Sequence, residues 1–83
     1  MQDTKKLKAE MLDYIKSYML ITGSYQSDIA KLYGTSQSFI SKLLKDETAL
    51  GSVFNVYIAC GGHVLGVKES KEKLVDIFLN GEK

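Results

Sequence analysis

Glycines at positions 23, 34, 51, 61 and 62 divide a proline-free chain into segments whose apolar residues recur every three or four positions. That period belongs to helices that bury one face, so the chain is constrained to be mainly helical. The first segment predicts a helix over residues 4–22, with Leu7, Met11, Ile15 and Tyr18 inward and Gly23 as its left-handed stop. Ser24 is placed to cap a second helix over 25–33, with Ile29, Ala30 and Tyr33 inward, and Gly34 breaks it. Thr35 is the expected N-cap of a third helix, residues 36–45. The acidic stretch DETALG ends it, and Gly51 with Ser52 opens the next element. Residues 53–60 put Val53, Val56, Tyr57 and Cys60 on one side, as a fourth helix covering the core would; the β-branched and aromatic content leaves a strand as the alternative.

Beyond Gly61 and Gly62, HVLGV at residues 63–67 has the composition of a short strand. A single strand leaves a row of backbone donors and acceptors without partners. A second copy, antiparallel across a two-fold axis, would satisfy them. Ser70 then caps a helix over 71–80, too rich in apolar groups for a solvated tail. Residues 62–80 are accordingly expected to form a dimerisation arm, with Val64, Leu65, Val67, Leu74, Ile77 and Phe78 at the interface.

Eighty-three residues make one domain, at a size where a single hydrophobic core is barely sufficient and oligomerisation is a common supplement. A lone Cys, set among Ile58, Ala59 and Gly61, suits a reducing compartment and a structural thiol. No signal-peptide pattern and no apolar run of about 20 residues is visible, so a cytoplasmic location without a membrane partner is expected. One His, without a second His or a Cys-x-x-Cys, gives no metal site, and Gly61, Gly62 and Gly66 lack the Lys and helix of a phosphate loop. No carboxylate pair is placed to orient His63 and Cys60, so neither an enzyme nor a cofactor is expected.

The net charge is +1, but residues 24–45 carry Lys31, Lys42 and Lys45 against Asp28, an excess of two positive charges. This excess falls on YGTSQSFISKLLK, residues 33–45. At about 100° per residue from Ser36, the apolar Phe39, Ile40, Leu43 and Leu44 span roughly 300° to 80°. Gln37, Ser38, Ser41, Lys42 and Lys45 occupy roughly 100° to 240°, and no acid lies among them. Gln pairs with adenine edges, Ser with either base edge, and Lys with guanine acceptors or phosphate, so this face has the chemistry of a major-groove reader.

The spacing upstream carries a resemblance. QSDIAKLYGTSQSFISKLLK, residues 26–45, resembles the helix-turn-helix of the Cro and phage-repressor (XRE) family, matching at Gln26, Ala30, Gly34, Ile40 and Leu43. Ala30 is small where the two helices cross, Gly34 makes the turn, and Ile29 with Ile40 holds the angle. Residues 50–67 look like the antitoxin-like branch, in which a helix ending in Gly leads into a dimer strand. The resemblance implies a four- to five-helix, lambda-repressor-like fold with one short β-strand paired across a dimer, and a helix-turn-helix at 25–45.

It also implies a homodimeric regulator of transcription on double-stranded DNA. Ser36, Gln37, Ser38, Ser41 and Lys42 would lie toward base edges. Ser24, Tyr25, Gln26, Lys31 and Lys45 would lie toward phosphate. Repression at a palindromic operator is the implied mechanism, activation remains open, and a phage or mobile-element setting fits. Thr35 departs from the pattern, which more often has an apolar residue there. Arg is absent as well, removing the strongest bidentate guanine reader and pointing to A·T-rich sites. The competing expectation is an antitoxin or protein-interaction module whose apolar C-terminal arm binds a protein partner.

Overall fold

The computed structural model describes residues 4–62 together with Glu72. Residues 4–62 form four helices: α1 (Thr4–Thr22), α2 (Gln26–Tyr33), α3 (Gln37–Leu44) and α4 (Leu50–Ala59). The expected strand at 63–67, all six expected dimer residues and the last expected helix, apart from Glu72, lie outside the described residues. Residues 53–59 are helical rather than extended, with Cys60 as the C-cap, and the helix begins earlier, at Leu50, so Gly51 and Ser52 lie inside its first turn.

Packing follows from which side chains each helix turns inward. α1 and α4 lie against each other, α2 and α3 form a second pair, and α2 also touches α4. One cluster joins them: Met11, Leu12, Tyr14 and Ile15 of α1, Ile29 and Ala30 of α2, Ile40 and Leu43 of α3, and Val53, Val56 and Tyr57 of α4, followed by Cys60. The apolar stripe expected on α1 is shifted. Leu7 is 43% exposed and Tyr18 only half-buried, whereas Leu12 and Tyr14 are buried. The N-terminal turn of α1 overhangs the core, and burial falls on the middle of the helix, where α4 lies.

All four helices end alike, with a residue in the left-handed region and an amide closing back over the last turn. Gly23, Gly34 and Gly61 take that position with φ of 69°, 87° and 85°. The closing bonds run from the amides of Ser24, Thr35, Glu47 and Gly62 to the carbonyls of Met19, Ala30, Lys42 and Tyr57, at 2.8–3.0 Å. After α3 the left-handed residue is Asp46, φ 62°, a conformation that Asp tolerates better than most side chains. Lys8 of α1 holds it there through an ion pair of 2.7 Å and also donates to the Thr48 carbonyl. This side chain thus ties the connection between α3 and α4 to α1.

The helix starts differ from expectation. Ser24 does not cap α2: its amide closes α1, and Tyr25 holds the N-cap position, where its amide donates to the Asp28 carboxylate at 2.7 Å. Thr35 does not cap α3, because its amide is committed to ending α2. Ser36 caps instead, in extended conformation, its Oγ accepting from the Phe39 amide at 3.1 Å. Both shifts have one cause. A six-residue closure at each glycine uses the residue after it, so the cap falls one position later.

The α1–α4 contact contains the polar part of the core. The Tyr14 hydroxyl donates to the Cys60 carbonyl at 2.8 Å, and its ring meets Tyr57 edge-on at 5.1 Å between centroids. Burial, with smaller contributions from Cys60, Tyr57 and Tyr18, pushes the Tyr14 phenol up to about 12, and burial pushes the Cys60 thiol up to about 11. The Tyr18 phenol is raised as well, chiefly by burial. Gly62 folds back over Tyr57 so closely that a Cβ there would sit 2.5 Å from the ring.

Candidate functional site

Three features set how α3 is presented. At its start, the Gly34 turn and the Ser36 cap fix where the helix begins. Along its inner face, Ile40 and Leu43 are fully buried, with Phe39 and Leu44 packed partly against the core. At its end, the Lys8–Asp46 pair anchors the connection that follows. The opposite face is left to solvent. Ser36, Gln37, Ser38, Lys42 and Lys45 are exposed, and Ser41 is half-buried at the margin.

The chemistry of this face is that of hydrogen-bond donors and amphoteric groups. Gln37 offers an amide, Ser38 and Ser41 hydroxyls, and Lys42 and Lys45 ammonium groups. Ser36 is partly spent, since its oxygen accepts from Phe39, although its hydroxyl proton remains available to donate. The nearest acid in sequence, Asp46, has its carboxylate engaged by Lys8, so the cationic end of α3 is not neutralised from that side.

Of the five residues expected to meet phosphate, Lys45 follows α3 and the other four are distributed around α2. Tyr25 is 75% exposed at its N-terminus, Gln26 is half-buried beside it, and Lys31 is exposed near its C-terminus. Ser24 is less suited than its position suggests. Thr22 donates its hydroxyl proton to the Tyr18 carbonyl at 2.7 Å, so in the 2.7 Å Thr22–Ser24 contact the donor is Ser24. A phosphate oxygen only accepts, and Ser24 would have to give up that bond to reach one.

Two shallow grooves flank these elements and share Lys16 of α1. In one, Lys16 lies with Met19, Leu20, Ser24 and Tyr25; in the other, with Asp13, Leu44, Lys45 and Asp46. Lys16 has no place in the local pattern of the α2–α3 segment. Only the packing of α1 reveals its proximity.

No protein-family model matches this chain, and no curated protein or solved structure matches it significantly. The fold and the exposed chemistry of α2 and α3 therefore carry the functional argument. Among the described residues no group of three or more His, Cys, Asp or Glu side chains could hold a metal ion, and no helix is long and apolar enough to cross a membrane.

Proposed function

We propose that this protein is a sequence-specific regulator of transcription that binds double-stranded DNA through a lambda-repressor-like helix-turn-helix of the Cro/XRE kind. The observation that carries the reading is the α2–Gly34–α3 unit, whose second helix buries Ile40 and Leu43 and turns an acid-free row of Gln, Ser and Lys to solvent. In this reading α3 enters the major groove, with Gln37, Ser38, Ser41 and Lys42 at base edges and Ser36 at the margin. Tyr25, Gln26, Lys31 and Lys45 contact the backbone and set the register. Two copies bind half-sites about one helical turn apart, roughly 34 Å, and repress by covering a promoter.

Selection of bound duplexes from a random pool, at stated salt, tests this directly. A palindromic motif is expected. Replacing Gln37 and Ser41 by Ala should cost on the order of 1–3 kcal/mol of base discrimination per good contact while the fold persists. Operator affinity unchanged by both substitutions would remove α3 from the DNA and assign its face to a protein partner. Leu65→Asp and Phe78→Asp address the dimer. Each should give a folded protein that binds half-sites singly, and a wild type that sediments as a monomer at micromolar concentration overturns the two-fold arrangement.

A further inference from the structure

We infer that α1 supplies a third part of the DNA-backbone contact, with Lys16 as its phosphate-binding side chain. This inference rests on the DNA-binding reading. Lys16 is exposed and borders both shallow grooves. One groove contains Tyr25 at the start of α2, and the other contains Lys45 at the end of α3. In that reading Tyr25 and Lys45 both contact the DNA backbone, and Lys16 lies between them.

The chemistry strengthens the placement. Ser24, a neutral donor in the first groove, has its hydroxyl proton committed to Thr22 and its amide to Met19. An ammonium brings three donors and a full positive charge on a flexible stem, so it can meet a phosphate without disturbing those bonds. Asp13 shares the second groove, one helical turn before Lys16. Removing the Lys16 charge is expected to weaken DNA binding.

The experiment titrates salt against the wild type, Lys16→Gln and Lys6→Gln, using a duplex recovered from the random pool and a scrambled duplex of equal length. Lys6 lies nearly three turns from Lys16 along α1 and serves as the charge control. Lys16→Gln is expected to reduce the slope of log affinity on log salt by about 0.9, the loss of one phosphate contact, and to weaken both duplexes by the same factor. An unchanged slope in Lys16→Gln, with wild-type binding still steeply salt-dependent, overturns the inference and leaves the DNA reading standing. An equal loss in Lys6→Gln also overturns it, because the effect is then net charge and not a contact. A wild type that binds neither duplex overturns the DNA reading and this inference together.

Discussion

The α1–α4 pair and the α2–α3 pair solve opposite problems with the same core. α1 has 19 residues, and its contact with α4 holds a buried tyrosine pair, a buried hydrogen bond to a backbone carbonyl and a glycine folded onto an aromatic ring. α2 and α3 have eight residues each, too few to be stable helices alone in water. They hold together through a left-handed turn, a serine cap and four buried side chains, Ile29, Ala30, Ile40 and Leu43. The first pair makes the core; the second borrows it and leaves a whole face of α3 uncommitted.

That division is broken most severely at Ile40, which is fully buried on the short pair. Ile40→Ala should cost about 2–5 kcal/mol. If α2–α3 depends on the shared core, helical circular dichroism and tyrosine fluorescence will still melt together; a separate early transition would show the pairs to be independent.

Gly62→Ala tests the other side. Its Cβ would meet the Tyr57 ring at 2.5 Å, and that ring is buried. Overpacking of this kind costs about 1–3 kcal/mol. In a domain this size each kcal/mol lowers the melting temperature by roughly 4–8 °C.

Tyr14→Phe removes the hydroxyl from the Cys60 carbonyl and leaves a buried acceptor unpaired, at about 1–3 kcal/mol. The same contact predicts a pH profile. The Tyr14 phenol is raised from 10.0 to about 12 and the Cys60 thiol from 9.0 to about 11, both chiefly by burial. Raised values favour the protonated forms in the folded state. Their contribution is therefore complete below about pH 9 and is lost as pH rises toward 12. Thermal melts between pH 8 and about 12 should show that decline, with a shallower slope in Tyr14→Phe; parallel slopes would dissociate the decline from Tyr14.

Ala49 occupies the N-cap of α4 with no side chain to accept a first-turn amide. Ala49→Asp should add about 0.5–2 kcal/mol, read as a higher denaturation midpoint. The smallest effect sharpens the contrast. Gln37→Ala and Ser41→Ala should each change stability by less than about 0.5 kcal/mol, because the face they occupy is not used by the fold. A larger loss in either would mean that the face helps hold α3 in place.

Much of this organisation was legible along the chain. Gly23 and Gly34 end helices in the left-handed conformation that only their missing side chains make easy, and Val53, Val56, Tyr57 and Cys60 share one buried side. The position of each cap was less legible. Ser24, Thr35 and Ser36 are all competent hydroxyls, and the choice depends on which amide the preceding helix needs for its closure. Asp46 gave no local sign of a left-handed turn, because its stabilising partner Lys8 lies on another helix, 38 positions earlier.

The sequence by itself determined the helical periods, the glycine breaks and the acid-free row from Gln37 to Lys45, because these depend on neighbours within a few positions. Only the tertiary structure decided that α1 buries Leu12 and Tyr14 while Leu7 remains exposed, that Lys8 anchors the end of α3, and that Lys16 stands between Tyr25 and Lys45. Those facts depend on where α1 crosses the other helices. No local pattern along the chain encodes that crossing.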